Sequence, residues 1–523
     1  VRELSLSPPP STKSDRLAVV ALTGVLVSSL VALFATGNAA LAIVPVVVAT
    51  GLYFAWTQPM RRIVLPIIFA QCFFFAPPTD DQFVEHASGP LWTMILRPGN
   101  LAMNIYLNKV VGVSALSLTG QELLYPLLML LLLIRFLRGD RIDATERQAG
   151  SSALYMCLAV ALATVLWLEV LGAATGGNMR STLFQIRMFL WIPLETLVIS
   201  LVMRDLRDFR SLAATVTLAA ILKVAFGLFF VIHDVWSRGE TVPWMTGHQD
   251  SVLYVGVIFG WFAAWIHERT WRRFLVAGAI IVWIGIGIYV NNRRIAYVSL
   301  VGTLLAFYPL IDGTLKRRVN LTLIAASPLI VLYLLLATTH STGIFAPGAS
   351  LMGIAKVTDG STQWRELENS NLIYTLRQNR LFGWGWGHEY LEVIKLPDVS
   401  QAYKEYRLMA HNSVLWLLGL SGIVGFTMLW APLVAGVYLA ARSYQFARND
   451  AERTAAATAI GLIVCYVNQA WGDIGVGLPI PTLLLACALA LSGKLARITG
   501  AWPARAKLFG AGGTVEASPA RRA

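Results

Sequence analysis

The sequence predicts an all-α, polytopic membrane protein: a bundle of about fourteen transmembrane helices with a helical loop on one face. Three observations predict it. Apolar residues make up 56% of the 523 residues and charged residues only 14%, proportions outside the range of soluble domains. The charges fall in short clusters between apolar runs of roughly 14 to 30 residues, the lengths that cross a hydrocarbon core. Alternate connections carry Arg61/Arg62, Arg138/Arg141/Arg147, Arg204/Arg207/Arg210, Arg269/Arg272/Arg273, Lys316/Arg317/Arg318 and Arg442/Arg448/Arg453, the bias of cytoplasmic loops.

In order, the expected spans are 17–35, 41–57, 63–76, 121–137, 151–172, 183–203, 211–232, 250–267, 273–290, 295–311, 319–338, 411–440, 454–470 and 478–493. The run at 63–76 is short, and 411–440 is long enough to tilt or break near Gly419, Gly422 and Gly425. The first span is expected to stay as an anchor, because it lacks the short apolar region and small-residue cleavage site of a secretory signal. Both termini are then cytoplasmic, and the opposite face carries 77–120, 233–249 and 339–410. The expected organisation is helices over 1–338, a loop with short helices over 339–410, helices again over 411–503, and a disordered basic tail over 504–523.

The formal charge of +13 fits basic loops beside anionic lipid and needs no nucleic acid. The four cysteines, Cys72, Cys157, Cys465 and Cys487, all fall inside spans. Apolar packing is their expected role, since they form neither a disulfide framework nor a clustered metal site.

Ser361 or Thr362 is placed to cap a helix whose apolar positions Trp364, Leu367, Leu372 and Leu376 recur at near-helical spacing. Arg377 and Arg380 stand at its end. Gly383, Gly385 and Gly387 then break regular structure, at a spacing that permits a tight turn or a close backbone approach to a ligand. A second short helix is expected over "SQAYKEYRLM", with Tyr403 and Tyr406 at the lipid interface and Lys404 and Arg407 toward water. Glu389 and Glu392 are expected in solvent.

His411 follows, where the chain re-enters the membrane. Imidazole titrates near neutrality and can take a proton from an incoming hydroxyl. The plainer reading is an interfacial histidine bonded to its helix end, and His86, His233, His248, His340 and His388 share its face. Arg187 lies within a span, where an unpaired cation is costly, and Arg293 and Arg294 open a span against the charge bias. Guanidinium groups bind phosphate oxygens in pairs. The alternatives are an ion pair of Arg187 with Glu195 or Glu169, snorkelling of Arg293 and Arg294, and a buried pair of Lys223 with Glu195.

With these residues in view, "NNRRIAYVSLVG", "WRELENSNLIYTLRQNRLFGWGWG" and "HNSVLWLLGLSGIVG" together resemble the O-antigen ligase and polysaccharide polymerase superfamily, which shares a Wzy/WaaL-type C-terminal domain. The resemblance is strongest over about 250–440. It implies an inner-membrane glycosyltransferase of GT-C type, acting on an undecaprenyl-diphosphate-linked oligosaccharide at the periplasmic face, with no cofactor and no metal. By the same resemblance His411 matches the histidine that assists the acceptor hydroxyl. Arg187, Arg365 and either Arg293 or Arg294 match the arginines that bind the donor diphosphate. Arg377, Arg380, Gly383, Gly385, Gly387 and Asn412 are further loop contacts. Fourteen spans favour polymerisation of a surface polysaccharide onto an acceptor glycan, alongside a chain-length regulator. Ligation to lipid A core is the alternative. A polysaccharide or lipid transporter is the competing class, although the sequence shows no duplicated half.

Overall fold

The computed structural model describes residues 23–31, 34, 46, 49–51, 53–75, 95–104, 118–137, 151–239, 244–340, 343–353, 360–397 and 406–502. Contacts divide the chain into Val1–Pro66, which includes helical residues 23–31 and 53–57, and Ile67–Ala523, which holds every residue discussed below from Gln71 onward.

The described regular elements are helices: α1 (Met60–Phe73), α2 (Arg97–Asn104), α3 (Gly120–Leu137), α4 (Ser152–Ala174), α5 (Met179–Val202), α6 (Leu206–Phe230), α7 (Asp250–His267) and α8 (Trp271–Asn291). They continue with α9 (Arg294–Phe307), α10 (Gly313–Thr339), α11 (Ala346–Gly353), α12 (Gly360–Gln378), α13 (Ser413–Phe446), α14 (Asp450–Gly472) and α15 (Pro479–Ile498). Among the described residues, ten helices are long and apolar enough to cross a membrane. The chain is a multi-pass helical membrane protein. A shorter apolar stretch, Arg294–Leu310, stands at one further expected span, and the expected span 63–76 forms α1, of 14 residues. His86, Arg138, Arg141, Arg147, Tyr403, Lys404 and the tail 504–523 lie outside the described residues, as do parts of the expected spans 17–35 and 41–57.

Helix α15 is buried almost throughout, against α5, α7, α13 and α14. Its small-residue run "ACALALSG" lets neighbouring backbones approach closely. By contrast α10 is exposed along most of its length, as a lipid-facing helix requires. Deep between helices, Lys223 of α6 meets Asp250 of α7 at 2.6 Å with both side chains buried. The buried pair expected for this lysine is present, but its partner is Asp250 and not Glu195. Asp250 is the first residue of α7, and Lys223 reaches it from about two turns before the end of α6.

Successive long helices reverse direction, which brings the starts of α5, α7, α9, α13 and α15 to one end of the bundle. Hydrogen bonds across that end join Thr246 to Asn291 and Ser413 to Asp473. The basic clusters at 204–210, 269–273, 316–318 and 442–453 fall at the opposite ends of the same helices.

Helix α13 breaks at Gly422, which has φ 60 and ψ −178, within the expected region. The break exists because the glycine segment docks there. Gly383, Gly385 and Gly387 all have positive φ, at 69, 80 and 84. A Cβ on Gly385 would stand 2.2 Å from the Gly172 nitrogen of α4, and one on Gly383 would stand 2.2 Å from the Leu420 carbonyl of α13. The close approach expected of these glycines is therefore made to the protein's own helices. Gly385 N–H donates to Leu420 O at 2.8 Å, Trp386 N–H to Leu168 O at 3.0 Å and Trp386 Nε1–H to Val165 O at 3.0 Å. Trp386 is 1% exposed and stacks on Phe189. Gly385→Ala is expected to lower stability by about 2–5 kcal/mol, from left-handed backbone strain and overpacking. Thermal unfolding of the purified protein in detergent checks this.

Candidate active site

Helix α12 forms where the capping residues and the near-helical repeat predict a helix, but its buried stripe is polar. Glu368, Asn371, Leu372 and Thr375 are each 1% exposed or less, at helical i, i+3, i+4 and i+7 spacing. Of the four apolar positions that predict the helix, Leu372 is buried while Leu367 is 37% exposed. The stripe is polar because it fastens irregular chain. Asn371 Oδ1 accepts from Val393 and Ile394 N–H, its amide donates to Ile394 O, and Thr375 Oγ1 accepts from Leu391 N–H.

Glu368 holds His411. Its carboxylate lies 3.2 Å from His411 Nδ1 and accepts the His411 backbone N–H at 3.0 Å. The carboxylate is 2% exposed and the imidazole 34%. Nδ1 is thereby committed, and Nε2 has no hydrogen-bond partner among the described residues. Asn412 caps α13 by accepting from Leu415 N–H at 3.1 Å, so its side-chain oxygen serves the helix start.

Arg365 lies one turn before Glu368 on α12, within electrostatic reach of Arg293 and Asp473. Arg293 follows Asn292, whose left-handed φ of 48 ends α8, and this turn aims the guanidinium over Trp244 at 4.0 Å from the ring centroid. Its Nε and Nη2 are buried without a hydrogen-bond partner among the described residues. Burial pulls the guanidinium down to about 10, Arg365 adds to the effect, and Asp473 opposes it. It remains a cation at neutral pH. Arg294 opens α9, half-buried.

Asp473 ends α14. Its Oδ2 lies 2.8 Å from His248 Nδ1 and accepts from Gln469 at 3.2 Å, while Oδ1 accepts Ile474 N–H. Burial would raise this carboxyl, but the His248 hydrogen bond and charge, the Ile474 N–H and Arg365 hold it at about 2. Ser413 Oγ donates to Asp473 O at 3.2 Å, tying this turn to the start of α13 beside His411. Two carboxylate–imidazole pairs thus flank two arginines.

The other expected residues lie elsewhere. Arg187 forms an ion pair with Glu122 of α3 at 3.3 Å, an acidic residue that the reading of the sequence did not name. Glu195, expected there, lines a small polar cavity with Gln71, Gln121, Glu122, Tyr125 and Trp191. Arg377 and Arg380 are exposed. Glu392, expected in solvent, is 14% exposed and pairs with Arg407 at 2.6 Å, while Glu389 is 56% exposed. Residues 406–409 form turns rather than the expected helix, and Tyr406 is buried near Trp364 instead of lying at the lipid interface. His388 is bound to Thr175 Oγ1 at 2.8 Å. A separate apolar cavity of about 360 Å³ lies among α6, α7, α14 and α15, with Arg210, Glu268 and Arg273 at its basic end. No group of three or more His, Cys, Asp or Glu suited to a metal ion occurs among the described residues.

Residues 279–430 match the O-antigen ligase family model, Wzy_C. The chain carries a Wzy_C domain. It runs from within α8 into α13 and contains Arg293, Arg294, Arg365, Glu368, the glycine segment and His411. Trp244, His248 and Asp473 lie outside it, on segments that flank the matched region. The chain has no match among curated proteins. The match covers residues 279–430 of the 523, so the likeness to the O-antigen ligase family is that of this segment.

The Wzy_C domain's own sequence offered a signal for Glu368, since it sits three residues after Arg365 and so shares its helix face. Asp473 was legible as an acidic residue at a span end. Its pairing with His248, more than 220 residues away in sequence, was not.

Proposed function

We propose that this protein is a ligase-type glycosyltransferase, moving a glycan from a polyprenyl diphosphate to an acceptor hydroxyl at the non-cytoplasmic membrane face, with lipid A core as acceptor. The observation that carries the reading is the His411–Glu368 pair at 3.2 Å beside the guanidinium groups of Arg293 and Arg365, within the matched family segment. His411 Nε2 would take the acceptor proton as its oxygen attacks the anomeric carbon, with Glu368 stabilising the imidazolium. Arg293 and Arg365 would hold the diphosphate and its growing charge. Direct displacement inverts the anomeric centre, in the manner of a GT-C enzyme.

The polymerase reading drew its preference from fourteen spans. With the segment 279–430 matched by the O-antigen ligase family model, ligation is the better supported reaction. The test supplies purified protein with a lipid-linked glycan and lipid A core together. Glycan on the core supports the ligase; a ladder of longer lipid-linked glycans would establish a polymerase; neither product would overturn both and point to transport.

A further inference from the structure

His248 is assigned no part in the reaction above, yet its surroundings are built. Asp473 and Gln469 fix one side of the pair, the Trp244 ring lies 6.3 Å from the imidazole and carries Arg293 on its face, and the imidazole is 42% exposed. Nδ1 is taken by Asp473, which leaves Nε2 to meet a ligand. Arg293 adds the decisive observation: a cation whose Nε and Nη2 are buried without a hydrogen-bond partner among the described residues, an arrangement that is costly unless an anion satisfies it. A phosphate oxygen that reaches Arg293 over Trp244 comes within the neighbourhood of His248.

We propose that the His248–Asp473 pair is a second acid–base device, acting on the departing diphosphate while His411–Glu368 acts on the acceptor. This rests on the donor reading above and deepens it. The acceptor oxygen forms the new bond to the anomeric carbon, and its proton passes to His411 Nε2. The bond from that carbon to the donor phosphate breaks, its electron pair goes to the phosphate oxygen, and protonated His248 gives that oxygen its Nε2 proton. Asp473 keeps the imidazole oriented by holding Nδ1 at 2.8 Å. The charged groups near His248 are Asp473 at the end of α14, Arg293 from the α8–α9 turn, Arg365 from α12, and Asp250, two residues further along the chain and paired with Lys223.

The test is binding of farnesyl diphosphate to the full chain in lipid nanodiscs between pH 5.5 and 8.5, for wild type, His248→Gln and Asp473→Asn. One charge-assisted hydrogen bond corresponds to roughly 10-fold in affinity. Wild type should bind about 10-fold more tightly than His248→Gln at low pH, and the gap should close as the imidazole loses its proton. Asp473→Asn should narrow the low-pH gap as well, because it removes the carboxylate that orients Nδ1 and so aims Nε2 at the ligand. Parallel curves for wild type and both variants would overturn the role of His248 and leave the donor reading standing. Wild type that fails to bind the diphosphate at any pH would overturn the donor reading, and this proposal with it. Should His248→Gln not fold, the weaker low-pH binding of Asp473→Asn still decides.

Discussion

His411→Ala is expected to lower the rate of glycan transfer about 10²–10⁴-fold, the range for loss of a positioned general base. The donor's KM should barely change, because the diphosphate is held by groups on other segments. Glu368→Gln is the sharper companion. The glutamine oxygen can still accept the His411 backbone N–H, so the start of α13 keeps its place, but the carboxylate facing Nδ1 is gone. A loss intermediate between wild type and His411→Ala is expected, with unchanged thermal unfolding in detergent. Equal transfer rates for wild type and both variants, measured by product size, would remove this pair from the chemistry.

Arg293→Lys is expected to lower kcat/KM about 10²–10³-fold, comparable to losing one donor at a site of developing charge. Lysine keeps the charge but neither the planar fork nor the face that lies on Trp244 at 4.0 Å. The effect should appear in both KM and kcat, since the diphosphate is bound in the ground state and gains charge as it leaves. Arg377→Ala and Arg380→Ala, at exposed positions, serve as controls and should leave transfer nearly unchanged. If they abolish transfer while Arg293→Lys does not, the donor phosphate lies at the end of α12 instead.

Much of this was legible in the chain itself, for definite reasons. Spans are readable because lipid imposes a length and an apolar composition on every crossing. His411, Arg293 and Arg365 stood out as polar groups at span ends or on a short helix beside them. The break in α13 followed from glycines in a long apolar run, although which glycine breaks depended on Gly383 meeting Gly422 across the fold. The partners were harder to see. Glu368 was hidden because a helix face is ordinarily traced by apolar residues, and here the buried face is polar. The Lys223–Asp250 and Arg187–Glu122 pairs, at 2.6 and 3.3 Å, are choices among several nearby acids that only the packing of helices makes. The glycines pointed to close approach, and the sequence had no means of naming what was approached.

Trp386 fixes more than a position. Burying an indole of roughly 200 Å² contributes about 5 kcal/mol, and the backbone bonds to α4 and α13 add to it. A segment keyed into the bundle this firmly cannot swing as a lid on the timescale of turnover. The segment is expected to stay docked on α4 and α13 through turnover, so that substrates reach the site without displacing it. Turnover should then be governed by diffusion of lipid-linked molecules in the plane of the membrane and by chemistry, with a rate that answers to bilayer fluidity more than to the viscosity of the surrounding water.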